Sequence, residues 1–339
     1  MRALLALVLA AGAVPAHLGS GDDVVPRDTV SVIESVTPAL PTGIVVDVVG
    51  GDTFLRVRSS GHEVGIPGYE NEPYIRIRPN GDVFENRSSD TWFLNRTRFG
   101  SGTAPQVVDD GSPAATGTES WVSTGKNGTA MWHDHRIHWM SPSTPPTIDG
   151  KGTVQEWKVP FTVDGKLHTV AGTLFLRDRA SVLWWAAVPM SALVALWFSR
   201  GARRRWYTFV TSASALACFV GFLEWWDLPA GARVTPLLLM FGVGALLVAN
   251  IATALQKEAD SKPAKRQKNE WMAASLAAGA GVSLAIVGWM NTDQVRAAYF
   301  PFMGSLWLPR LTVTGIIGVG IVAAIDGVVR VMKVEPQQS

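Results

Sequence analysis

Residues 153–200 read TVQEWKVPFTVDGKLHTVAGTLFLRDRASVLWWAAVPMSALVALWFSR. The first half holds two β-rich runs, TVQEWKVPFTV (153–163) and KLHTVAGTLFL (166–176), joined by Asp164 and Gly165, which predicts a hairpin. The second half, residues 181–199, carries no charged side chain and is close to the ~20 residues that cross a bilayer. A strand pattern thus passes into a membrane span across only four residues, Arg177–Ala180. On this reading the fold is an all-β domain followed directly by a helical membrane domain.

Working toward the N-terminus, short β-branched runs recur between turn residues, the pattern of an all-β sandwich of Ig-like or cupredoxin-like type. TVSVIESV (29–36) stops before Pro38, and IVVDVV (44–49) and TFLRVRS (53–59) flank Gly50, Gly51 and Asp52. PYIRIRP (73–79) turns at Asn80 and Gly81 into DVFEN, and strand character resumes at Trp121 and turns at Asn127 and Gly128. Residues 100–118, rich in Gly, Ser, Thr and Pro, have no apolar period and read as a mobile loop. GYENEPY (68–74) reads either as plain connection or as a loop beside a site. The start, MRALLALVLAAGAVPA, has the design of a signal peptide over residues 1–16, and cleavage after Ala16 would leave His17 as the mature terminus.

Working toward the C-terminus, five apolar segments are expected to span: about 181–199, 206–225, 235–255, 271–290 and 311–329. The exits of the odd-numbered spans hold eleven Lys and Arg, from Arg200 to Lys333, against three (Arg233, Arg296 and Arg310) on the opposite side. The positive-inside rule then puts a tail of residues 334–339 in the cytoplasm and residues 17–180 outside a multi-pass cell-membrane domain of residues 181–333. Asp326 lies one turn before Arg330 and is expected to pair with it. Residues 17–180 carry 15 Lys and Arg against 20 Asp and Glu, so the exported part is acidic and nucleic acid is excluded as a partner. Membrane lipid is the partner expected of such a chain.

The chemistry concentrates in residues 131–140, MWHDHRIHWM, with three of the six histidines. Read as a continuous strand, Met131, His133 and His135 share one face, while Asp134, Arg136, His138 and Met140 share the other. His133 and His135 would then form the metal pair, with His138 a supporting group or a separate ligand, and Asp134 and Arg136 holding each other or a loop in place. Imidazole with Met131 and Met140 sulfur nearby suits copper, and zinc follows as second choice because three histidines and a water form a catalytic zinc set. The only cysteine, Cys218, falls in a span, so the exported part has neither a disulfide nor the thiolate of a blue-copper centre. His62 and His168 stand alone and read as structural.

A His-x-His pair on a β-sandwich, a terminal histidine after a signal peptide and membrane helices to follow resemble the copper-binding subunit of particulate methane and ammonia monooxygenases. The terminal histidine is similar to that of the periplasmic copper-resistance carriers. The WHDHRIHWM signature also resembles that of bacterial membrane proteins with the same plan and no assigned activity. The resemblance implies His17, His133 and His135 as copper ligands and gives His138 no counterpart. Three functions follow as expectations: copper capture, delivery or homeostasis at the outer face; a copper oxygenase-like enzyme subunit; or a metal-free structural or assembly subunit of the cell envelope. The sequence shows no nucleophile and base pair and no phosphate-binding glycine loop, which places the enzyme reading below the first.

Overall fold

A computed structural model describes residues 28–96, 98–99, 119–228, 236–300 and 302–334. The signal segment, His17 and the 100–118 loop lie outside the described residues. The chain forms two compact units, one containing Ser31–Phe175 and the other Leu176–Leu228 and the chain from Pro236 onward.

The first unit is built of two sheets. Among the described residues ten strands are formed: β1 (Thr29–Thr37), β2 (Ile44–Val49), β3 (Phe54–Ser59), β4 (Val64–Pro67), β5 (Pro73–Ile77), β6 (Val83–Asn86), β7 (Trp121–Gly125), β8 (Thr129–Trp132), β9 (Thr153–Val163) and β10 (Lys166–Leu176). One sheet has the order β1-β10-β9-β4-β5-β6-β7 and the other β2-β3-β8. The hairpin expected at 153–176 is present in antiparallel register, with Lys166 opposite Val163. In β9, Trp157, Val159, Phe161 and Val163 are all buried, as period-two alternation requires of a strand with one face in the core. Each such side chain contributes about 1.5–3 kcal/mol relative to exposure.

Two elements go beyond the sequence reading. The four residues of β4, VGIP, are too few to show an alternation, yet Val64 and Ile66 are buried in pairing with β5. A short helix, α1 (Asp90–Leu94), follows β6. In the small sheet, β3 lies between β2 and β8, with Leu55 opposite Trp132 and Arg58 opposite Thr129. Gly128 makes the entry to β8 possible: its φ is +65°, and a Cβ there would lie 2.1 Å from the Ser59 carbonyl oxygen.

Among its described residues the second unit holds five helical segments long and apolar enough to cross a membrane. The first, Val182–Ser199, is a 3₁₀ turn continued by α2 (Ala187–Ser199). It is followed by α3 (Arg203–Asp227), α4 (Leu237–Ser261), α5 (Arg266–Met290), a short α6 (Asp293–Arg296) and α7 (Trp307–Val334). Each expected span falls on one of the five segments; the first, Val182–Ser199, matches its expected range to one residue, and the other four run past the expected limits at one end or both. Small residues carry the packing. A Cβ on Gly281 of α5 would lie 2.7 Å from the Gly320 carbonyl oxygen of α7, and one on Gly320 2.6 Å from the Gly281 oxygen. Mutual close approach of this kind replaces the hydrophobic drive that is missing between helices in lipid. Asp326 pairs with Arg330 at 2.7 Å, as expected.

Candidate metal centre

The strand reading of residues 131–140 holds only as far as Trp132, and the cause lies in Asp134. This residue is fully buried and accepts four hydrogen bonds: from the Trp132 indole (2.9 Å), the Arg136 backbone N–H (3.0 Å), Arg136 Nε (2.8 Å) and Arg136 Nη2 (2.7 Å). The expected Asp134–Arg136 pair is therefore present. Burial alone would raise the Asp134 carboxyl, but the Arg136 hydrogen bonds and charge, with the Trp132 bond, hold it below the ordinary carboxylate value.

The folded-back carboxylate caps one turn of 3₁₀ helix, His135–Ile137, in which the Ile137 N–H donates to the Asp134 carbonyl. Three residues per turn bring positions i and i+3 to the same side. His135 and His138 therefore meet, where a strand would have sent them to opposite faces. This corrects the expectation for His138: its ring joins the pair.

The three rings form one cluster. Centroids are 4.5 Å apart for His133 and His138, 5.3 Å for His133 and His135, and 5.4 Å for His135 and His138. One nitrogen from each lies within 4.8 Å of the others. A tetrahedral site with metal–nitrogen bonds of ~2.0 Å separates its nitrogens by roughly 3.3 Å. At the 4.8 Å limit, closing that gap takes ring movements of about 0.8 Å each.

Two of the rings are fixed in one tautomer. His133 Nδ1 lies 2.8 Å from the Thr53 carbonyl oxygen, and His138 Nδ1 lies 2.9 Å from that of Trp139. A carbonyl only accepts, so each Nδ1 carries the proton and each Nε2 presents a lone pair. Neither Nε2 has a hydrogen-bond partner among the described residues, although both are buried. Burial pushes His133 down to about 3, with the Arg98 cation and His135 adding to it, and pushes His138 well below the ordinary imidazole value. Both rings are neutral at physiological pH, the state a metal ligand requires.

The surrounding structure orients the cluster from several elements. Thr53 sits one residue before β3, where the β3–β8 register brings it alongside His133. The Tyr69 ring stacks on His135 at 5.8 Å, and its hydroxyl accepts the His135 backbone N–H at 2.8 Å and donates to Asn95 Oδ1. GYENEPY is thus the loop beside the site. Gln155 of β9 donates to the carbonyls of Arg136 (3.3 Å) and His138 (3.2 Å), and Ser31 Oγ of β1 donates to that of Ile137. Arg98 lies buried in an ion pair with Asp52 at 2.7 Å. Thr53, Arg98 and Gln155 carried no sequence signal, since each is an ordinary polar residue whose role comes from pairing far along the chain.

Met140 is 43% exposed, and Met131 lies on the half-buried side of β8, alternating with buried Ala130 and Trp132. His62 bridges Asp164 (2.7 Å) and the Thr42 carbonyl (3.0 Å), and His168 is buried against the Pro38 carbonyl (2.8 Å). His17 lies outside the described residues. Comparison with protein-family models, curated proteins and solved structures finds no match, so the site stands on its own geometry.

Proposed function

We propose that the β unit binds one transition-metal ion through His133, His135 and His138, and that the chain is a membrane-anchored copper-binding protein serving copper capture, delivery or homeostasis. One observation carries this reading: two buried imidazoles have Nδ1 held by backbone carbonyls and Nε2 without a partner beside a third ring. A buried lone pair without a donor is costly, and a metal ion satisfies it. Metal-bound histidines commonly donate their second N–H to a carbonyl in just this way.

Copper leads on donor type, because nitrogen sites bind divalent first-row ions most tightly at Cu(II). Met131 and Met140 lie two residues along the chain from His133 and His138 and keep their place as candidate sulfur donors. Zinc is the second reading, favoured by three imidazoles without sulfur. The finer proposals are an Ig-like or cupredoxin-like sandwich, its exposure on the extracytoplasmic side, and a cytoplasmic C-terminus. They rest on the strand pattern and on the eleven-to-three bias of basic residues. Partners are other copper-handling proteins, and His17 adds a ligand if cleavage frees it. Binding ranks above catalysis because the buried carboxylates of this region, Asp52 and Asp134, already hold Arg98 and Arg136.

The test is a copper titration of the purified full-length chain against a competing chelator. One copper per chain at submicromolar affinity is expected. Equal binding by a His133→Ala/His135→Ala variant refutes the reading, and tighter retention of zinc than of copper under competition selects the second one.

A further inference from the structure

Arg98 is the buried cation that the metal reading leaves unexplained. Its side chain is 2% exposed and that of its partner Asp52 is fully buried. Nη2 donates to Asp52 Oδ2 at 2.7 Å, while Nη1 has no hydrogen-bond partner among the described residues. Of all charged groups, Arg98 acts most strongly on both His133 and His138. It is also tied to them structurally, since Asp52 precedes Thr53, whose carbonyl holds His133. One buried region therefore contains a guanidinium N–H lacking an acceptor and two imidazole lone pairs lacking a donor.

A metal ion alone resolves half of this. It takes the lone pairs, but it leaves the Arg98 N–H unmet and brings new positive charge beside a cation. The ion pairs Arg98–Asp52 and Arg136–Asp134 each cancel, and coordinating imidazoles are neutral, so a divalent ion adds two uncompensated positive charges to a buried site. Uncompensated charge in such surroundings is strongly disfavoured. An anion in the position that three histidines leave open lowers that charge and supplies the acceptor that Arg98 lacks.

Resting on the three-histidine metal reading, we propose that the bound divalent ion carries a small exogenous anion, of the carboxylate or hydrogencarbonate class, and that Arg98 is its hydrogen-bond donor. The experiment uses the full-length chain loaded with Co(II), whose visible bands report the fourth ligand, with azide as the probe anion. Azide should shift the bands in the wild type. Measured on the Co(II)-loaded protein, Arg98→Met should weaken azide binding at least tenfold, and Arg98→Lys should recover part of the loss. Because Arg98→Met leaves Asp52 buried without its partner, an Asp52→Asn/Arg98→Met variant removes both charges and should lose azide in the same way. Wild-type bands that ignore azide overturn the inference, as does azide binding by either Met variant that equals the wild type. Failure of the wild type to take up Co(II) is a separate result that removes the metal reading itself.

Discussion

Replacing Asp134 by Asn tests whether this carboxylate shapes the site. The substitution keeps the size of the side chain and removes its charge. Of the four hydrogen bonds that Asp134 accepts, two come from the Arg136 guanidinium, and the Asn amide presents a donor to one of them. Removing one partner of a buried ion pair costs ~3–5 kcal/mol. An isosteric change belongs near the lower end, at about 3 kcal/mol, which is roughly two decades in the local opening equilibrium. The assay is amide hydrogen exchange over the 3₁₀ turn, where the Arg136 and Ile137 N–H groups donate to the Asp134 side chain and carbonyl. Exchange there should accelerate by about a hundredfold, while the β9–β10 hairpin around Val159 and Val170 serves as the unchanged reference. Metal affinity should fall as well, because opening the turn separates His135 and His138. Turn exchange within threefold of the wild type would refute the claim that Asp134 holds the rings together.

Other outcomes follow from the same structure. His133 is held neutral at about 3, so below its unfolded value of about 6.5 the unfolded chain binds the proton that the folded one refuses. Stability of the metal-free β unit should therefore fall with pH across that window, by ~1.4 kcal/mol per pH unit for this ring, and His133→Phe should flatten the slope in acid unfolding monitored by hydrogen exchange. His62 behaves oppositely: its hydrogen bond to Asp164 raises it and lowers Asp164. The His62 contribution is present below its unfolded value and lost as pH rises through the raised one, while that of Asp164 is lost as pH falls through its lowered one. A proton titration of the His62 ring should show this, and His62→Gln should leave metal affinity unchanged. Gly128→Ala forces a Cβ onto the Ser59 carbonyl at positive φ and should destabilise β8 by about 2 kcal/mol or more, read as faster exchange of the β3 and β8 amides. Gly281→Leu should separate α5 from α7 and lower the thermal stability of the membrane unit in detergent.

Elements that the chain specifies by local period were legible in the sequence. The hairpin at 153–176 has an alternating pattern and an Asp-Gly turn, and the span at 181–199 has no charge to misplace. β4 escaped because two apolar residues among four make no period, and its burial comes from β5 and β9. The histidine stretch was found by residue type, yet its conformation was misread. MWHDHRIHWM alternates well enough for a strand, and the force against it is the buried Asp134–Arg136–Trp132 network, which exists only in the packed core. That network turned an expected pair of histidines into three. Arg98 and Thr53 reach the site from 35 and 80 residues away along the chain, a separation that no local pattern reports, whereas Tyr69 belongs to GYENEPY, a stretch the sequence marked as connection or as a loop beside a site.

X-ray absorption at the metal edge of the copper-loaded, full-length protein tests the central claim most directly. Three imidazole nitrogens on one ion should give a first shell of nitrogen near ~2.0 Å with the outer-shell scattering of imidazole rings, and that scattering should diminish in a His138→Ala variant. A first shell dominated by sulfur, or imidazole scattering that persists unchanged when His133, His135 and His138 are all replaced by Ala, would contradict the account.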